Sequence, residues 1–220
     1  MDGIIVVNKP SGITSHDVVS RVRRRLNMRR VGHAGTLDPL ATGVLVMLIG
    51  KSTKLFDKFV AFDKAYAATL KLGTQTTSAD ITGEVIMQKS FEHIDEQKMR
   101  DVLAQFVGEI EQMPPMVSAV KFKGERLYKL ARKGMVVDRP VRKIRIDVLR
   151  LIRFESPEAR FYLECSKGTY VRTLAEDIGE RLGCGACITQ IERTKVGPFE
   201  LKDAVVLENL NESHIRNWRG

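Results

Sequence analysis

The sequence predicts one domain in which strands and helices share an aliphatic core. Three observations predict it. Segments of strand length, either continuously apolar or alternating, recur at residues 4–7, 44–49, 64–72, 143–154 and 160–166. Stretches with helical apolar spacing and a capping residue lie between them. Hydrophobic residues make up 43% of the 220 residues but aromatics only 6%, so a sizeable core is available and its filling is aliphatic.

In chain order, residues 4–7 read as a short strand ending in the turn Asn8-Lys9-Pro10-Ser11-Gly12. Ser15 is placed to cap a helix running to about Leu26, with Val18, Val19, Val22 and Leu26 as its buried stripe. The other faces carry Arg21, Arg23, Arg24 and Arg25, donors suited to phosphate; Arg23 and Arg24 are candidate RNA contacts. Lys9 has two readings, a contact to backbone phosphate or a support for the loop that follows.

That loop is Gly32-His33-Ala34-Gly35-Thr36-Leu37-Asp38-Pro39-Leu40-Ala41-Thr42-Gly43. Glycines supply sharp bends, and Pro39 removes a donor and pushes Asp38 towards an extended conformation. The apolar run 44–49 follows at once, so Asp38 sits on a loop anchored in the core. An Asp before Pro is commonly a turn cap; a single carboxylate on a scaffold-held loop is also how many active sites are built. Gly50-Lys51-Ser52 does not make a phosphate loop, because position 45 is Leu45 where that motif needs glycine.

Residues 64–72 alternate, with Tyr66, Ala68, Leu70 and Leu72 on one face, and Tyr66 reads as core filler. Residues 73–83 are polar and turn-like and hold Asp80, a partner for an arginine or for a base edge. Asp95 caps a helix to about Val107 whose inward residues are Met99, Val102, Leu103 and Phe106. Residues 112–142 begin with Pro114-Pro115 and have weak periodicity. They carry Lys121, Lys123, Arg126 and Lys129 with Phe122 and Tyr128 interleaved. This composition predicts a mobile basic insertion, with one short helix near 125–132, that closes on nucleic acid. Residues 143–154 and 160–166 should pair antiparallel around Pro157. A helix starting at Ser166 or Thr169 runs to Leu182, with Arg172 in its first turn and Gly183 ending it.

The net charge is +9, and it is concentrated: residues 121–153 hold twelve Lys/Arg against three acids, and residues 1–30 seven against two. Two basic segments on a neutral-to-acidic body suit an extended anionic partner. No run has the length of a membrane span, and the N-terminus lacks a signal-peptide pattern, so a cytoplasmic protein is expected. Cys165, Cys184 and Cys187 are an odd count with no disulfide framework. The lone Cys184-x-x-Cys187 has no second ligand pair for zinc, and neither a metal nor an organic cofactor is expected.

The loop around Asp38 resembles the signature of the TruB family of tRNA pseudouridine synthases. So do Asn8-Lys9-Pro10-Ser11-Gly12 before it and Lys64-Ala65-Tyr66, Leu72-Gly73 and Asp80 after it. Cys165-Ser166-Lys167-Gly168-Thr169-Tyr170-Val171-Arg172-Thr173-Leu174 and Leu182-Gly183-Cys184-Gly185-Ala186 complete the pattern in the family's order. The resemblance implies the pseudouridine synthase fold, an α+β domain around a mixed, largely antiparallel sheet, with residues 112–142 as a thumb-like insertion. It implies isomerisation of the T-loop uridine of tRNA at position 55 by base flipping, with no cofactor and no metal. Asp38 then acts at the ribose, Arg172 keeps it ionised and aimed, and Tyr66 lies against the target base. His33 takes the place the flipped base leaves. The chain is expected to be a monomer of one catalytic domain, residues 1–220, without the small C-terminal PUA domain usual in the family. The competing expectation is a non-catalytic RNA-binding module that refolds tRNA. The set Asp38, Tyr66 and Arg172 favours the enzyme, because binding alone needs only the basic segments.

Overall fold

The computed structural model describes residues 1–218 apart from 117, 119, 120, 123, 128, 129, 131–133 and 136. The chain forms two compact units, Met1–Ala67 with Ile191–Gly220, and Ala68–Gln190. Lys123, Tyr128 and Lys129, named above for the insertion, lie outside the described residues.

The first unit is built on β1 (Gly3–Lys9) and β3 (Thr42–Ile49), antiparallel with Ile5 opposite Met47. Beside β3 runs β2 (Val31–Ala34), and β14 (Val205–Val206) adds in parallel to β1. The end of β12 (Ala186–Val196) pairs in parallel with β3, Arg193 opposite Gly43. One face packs Ile5, Val7, Leu45, Met47 and Ile49 on Val18, Val19, Val22 and Leu26 of α1 (Ser15–Arg25) and the residue after it. The other face packs Ile4, Val6, Val44, Val46 and Leu48 on Phe59 of α2 (Phe56–Val60) and on Phe199. A strand covered on both faces is apolar at every position, which is why residues 44–49 are a continuous run rather than an alternating one. Phe59, Phe62, Phe199 and Trp218 cluster on this second face: the Trp218 ring centroid lies 5.3 Å from that of Phe59 and 5.2 Å from that of Phe199.

The cap of α1 is Thr14, not Ser15. Asp17 N donates to Thr14 Oγ1 at 3.1 Å and Thr14 N donates to Asp17 Oδ2 at 2.8 Å, a reciprocal capping box. Ser15 is the first helical residue, and its buried hydroxyl is used on the Asp38 loop instead.

In the second unit β10 (Arg142–Glu155) and β11 (Glu158–Cys165) form the expected antiparallel hairpin around Pro157, and β7 (Gly108–Gln112) pairs with β10 on its other side. The order continues from β11 to β4 (Lys64–Leu72) and β12. Helix α3 (Glu96–Ala104) starts where expected: Asp95 Oδ1 accepts from Lys98 N at 2.8 Å, and Met99, Val102 and Leu103 are buried. Helix α4 (Val171–Leu182) ends as expected at Gly183, which is left-handed at φ +81°. Its start differs, since Tyr170 is the N-cap and has no side-chain cap of its own.

The polar segment 73–83 is not all turn. Its first residues form β5 (Thr74–Thr76), which pairs with β6 (Val85–Gln88) across the bend that holds Asp80. In the basic insertion β8 (Lys121–Phe122) pairs with β9 (Glu125–Arg126), and Leu127 and Leu130 are buried. The parallel pairs β1–β14 and β3–β12 stand among antiparallel ones, and helices flank the strands: the α+β class with a mixed, mostly antiparallel sheet is the one observed.

Gly43 shows how tightly β3 and β12 approach. Its φ is +99°, and a Cβ there would lie 2.3 Å from Arg193 O, a backbone atom that cannot step aside. Gly43→Ala should therefore lower the unfolding free energy by about 3 kcal/mol or more in urea titrations, strain and clash together. A loss under about 1 kcal/mol would show that the two strands can separate at this point.

Candidate active site

A bend made of glycine and proline cannot satisfy its own backbone, so each carbonyl of the Asp38 loop needs a donor from elsewhere. The donors are identifiable one by one. Leu37 O accepts from Ser15 Oγ at 3.0 Å, and the same hydroxyl accepts from Leu37 N at 2.8 Å. Asp38 O accepts from Ala41 N at 3.1 Å, and Pro39 O from Gly12 N at 2.8 Å. Leu40 O accepts from Ser11 Oγ at 3.1 Å. Two buried cations add further donors.

Lys9, the last residue of β1, has no exposed surface. Its Nζ donates to Pro10 O and Ile13 O, both at 2.8 Å, and to Pro39 O at 3.3 Å. Of the two roles its sequence position allowed, this geometry is that of loop support; a fully covered ammonium has nothing to offer a phosphate. Burial pushes its pKa down to about 8, opposed by the negative charge of Asp38 and assisted by the positive charge of Arg193.

Arg193 lies in β12, 2% exposed. Its guanidinium spans both arms of the loop: Nε donates to Val44 O at 2.8 Å, Nη2 to Gly35 O at 3.0 Å and Nη1 to Thr36 O at 3.5 Å. Sequence reasoning missed this residue. In Ile191-Glu192-Arg193-Thr194 a charged side chain in a strand reads as solvent-facing. The available signal was on the other partner, a loop rich in glycine with no long donor of its own. Asp38 is held half-buried on this frame, and His33, on β2 opposite Met47, is half-buried too. Tyr66 is buried at 7% exposure in β4. Of the two arginines named on α1, Arg23 donates from Nη2 to Val31 O at 2.8 Å, while exposed Arg24 lines a pocket of about 360 Å³ with Arg21 and Arg25.

Arg172, two residues into α4, is 5% exposed. Its Nη1 donates to Ser78 O at 2.7 Å and its Nε lies 4.0 Å from Asp80 Oδ2. Of the two readings of Asp80, the arginine neighbour is present. It is 5% exposed, and its Oδ1 also accepts from Ser78 Oγ at 2.8 Å, Thr82 N at 3.0 Å and Thr82 Oγ1 at 2.5 Å. One turn on, Glu176 is pushed up to about 7 by burial and by Asp177, with Arg172 and Arg139 opposing. Burial, with Glu180, also raises Asp177 to about 6. Lys121 and Arg126 have their backbones in β8 and β9. Cys165, Cys184 and Cys187 are buried, and no metal-type cluster of His, Cys, Asp and Glu occurs among the described residues.

Removing Arg193 leaves two loop carbonyls, Gly35 O and Thr36 O, and Val44 O of β3 without this donor. Arg193→Met should cost about 3 kcal/mol or more of unfolding free energy, since each buried acceptor stripped of its donor costs about 1–3 kcal/mol. Arg193→Lys should recover part of that, because an ammonium cannot span both arms. Urea titrations of the two variants check this; equal, small losses would mean that the loop holds without the guanidinium.

Residues 23–171 match the family described as TruB family pseudouridylate synthase (N terminal domain), and residues 172–218 match the tRNA pseudouridylate synthase B C-terminal domain. The chain is 50% identical over 212 residues to tRNA pseudouridine synthase B of Geobacter sulfurreducens, covering 96% of this chain and 70% of that one. It is 49% identical over 208 residues to tRNA pseudouridine synthase B of Opitutus terrae, covering 94% and 86%. Among solved structures, a chain of a Cbf5-Nop10-Gar1 complex superposes with a TM-score of 0.75 at 31% identity, over 94% of this chain and 53% of that one, so this chain spans about half of that neighbour. No helix among the described residues is long and apolar enough to cross a membrane. With a family match across most of its length and relatives at about half identity, the chain belongs to the TruB family of pseudouridylate synthases.

Proposed function

We propose that the chain isomerises uridine to pseudouridine in the T-loop of tRNA, at position 55. The observation that carries this is Asp38, held half-buried on a loop whose carbonyls are satisfied by side chains from three other segments, in a chain about half identical to proteins named tRNA pseudouridine synthase B. The reaction breaks the N1–C1′ bond, turns the uracil and joins C5 to C1′. The bond pair leaves with the uracil, the C5 proton departs and N1 gains one. No redox change occurs. The Asp38 carboxylate serves either as a nucleophile or as stabiliser of positive charge at the sugar. Arg172 supplies a positive charge to the reaction. Tyr66 stacks on the uracil and stands near C5. The target base must leave its stack, and His33 fills the gap. Arg24 and the basic residues of 112–142, Lys121 and Arg126 among them, neutralise backbone phosphates. On this reading the protein works as a monomer in the cytoplasm, where its tRNA substrate is.

Asp38→Asn preserves shape and removes the reactive charge. A T-loop hairpin incubated with the wild-type protein should yield pseudouridine, while the variant should lose activity by a factor of about 1,000 or more and bind the hairpin within about twofold. Binding without turnover by the wild type would identify an RNA-binding module instead, and turnover by the variant near the wild-type rate would remove Asp38 from the chemistry.

A further inference from the structure

Residues 113–141 connect β7 and β10 of the second unit, and Gln112 stands at their root, opposite Arg142 in the strand pair. Just beyond the root the two arms are tied again, Arg139 Nη1 donating to Pro114 O at 2.8 Å. Gln112 is 2% exposed. Its amide is spent on one residue: Nε2 donates to Tyr170 O at 3.1 Å and Oε1 accepts from Tyr170 N at 2.8 Å. A side chain here reproduces the two-bond exchange of an antiparallel backbone pair.

Tyr170 is the N-cap of α4, and no side chain of its own caps that helix. Its carbonyl also accepts the first helical bond, from Leu174 N at 3.0 Å. Helix starts need partners from outside, and Gln112 fixes the peptide group at which this one begins. Two residues later comes Arg172, whose guanidinium is held by Ser78 O and Asp80. A long side chain is aimed only as well as its Cα is placed. The Arg172 head is set from one side by the bend around Asp80 and its Cα from the other by the Gln112–Tyr170 pair.

We infer that Gln112 is a positioning residue for Arg172. Through its two hydrogen bonds to Tyr170 it fixes the first turn of α4 to the root of the 113–141 segment, and so fixes where Arg172 stands. A buried glutamine kept merely to fill space would have no reason to match both groups of one N-cap peptide. The inference rests on the isomerase reading, and one of its tests does not.

Gln112→Met keeps the volume and removes both hydrogen bonds. With a T-loop hairpin as substrate, it should lower kcat about tenfold and leave KM within about twofold. In an Arg172→Lys background the same change should alter kcat less than about twofold, because the group it displaces is already altered. A purely structural role gives the same fold-loss in both backgrounds, and that result, or an unchanged kcat in the wild-type background, overturns the inference. Should the Met variant not fold, Gln112→Glu, which keeps the acceptor for Tyr170 N, should show a smaller loss with the same dependence on background; equal losses again overturn it. Amide hydrogen exchange gives the answer without activity. In the Met variant Tyr170 and Leu174, and in the Glu variant Leu174, should exchange about tenfold faster or more while the β10–β11 hairpin is unchanged. Unchanged exchange at these amides overturns the inference. A wild-type protein that makes no pseudouridine counts against the isomerase reading, and the exchange measurement then decides the role of Gln112.

Discussion

A buried bend of glycine and proline carries carbonyls that no helix or ladder will satisfy, and an unpaired buried carbonyl costs free energy. The Asp38 loop depends on how that need is met. Two cations meet part of it, Lys9 from the end of β1 and Arg193 from a position 158 residues beyond Gly35. Charged donors make stronger hydrogen bonds than neutral ones, so few side chains suffice. Their cost is desolvation, visible in the fall of the Lys9 pKa to about 8. Arg193 resists that better, because a guanidinium does not give up its proton. Around this clamp the rest of the first unit is arranged. Gly43 lets β12 come close enough to deliver the guanidinium, and the buried Ser15 at the start of α1 closes the loop at Leu37.

The second unit solves the matching problem for Arg172 by the same means. A buried arginine is useful only if its head and its Cα are both fixed. The head is fixed by Ser78 O and Asp80, and Asp80 is itself oriented by Ser78 and Thr82. The Cα is fixed by a helix start whose cap peptide is gripped by Gln112. In the first unit the loop that carries Asp38, and in the second the start of the helix that carries Arg172, is held by polar side chains from elsewhere in the chain. Fully satisfied polar networks of this kind rigidify a structure; partly satisfied ones would be worse than an apolar core.

Much of the scaffold was legible. Residues 44–49 announced a strand covered on both faces, Asp95 announced a helix start and Gly183 a helix end, because each signal is local. The cap of α1 was legible in principle. Thr14 and Asp17 have capping-box spacing, and Ser15 does not cap because its hydroxyl is taken by Leu37. The candidate residues Asp38, Tyr66 and Arg172 were found through family motifs rather than through periodicity. What stayed hidden is long-range. Nothing local distinguishes Lys9 in a turn, Arg193 in an alternating strand or Gln112 before two prolines from side chains that face water. Each becomes informative only when the fold brings it to a carbonyl that lacks a donor. The short strands β8 and β9 stayed hidden for another reason, since two residues are too few for any periodicity to register.

The proposal that ties the clamp on the Asp38 loop to chemistry is most directly tested by mapping the product on a whole tRNA. An unmodified tRNA transcript treated with the wild-type protein and mapped by carbodiimide adducts should carry pseudouridine at the T-loop position 55 uridine and at no other uridine. A transcript with cytidine at that position should gain none. Pseudouridine absent from the first transcript, or appearing at other uridines in the second, would contradict the account.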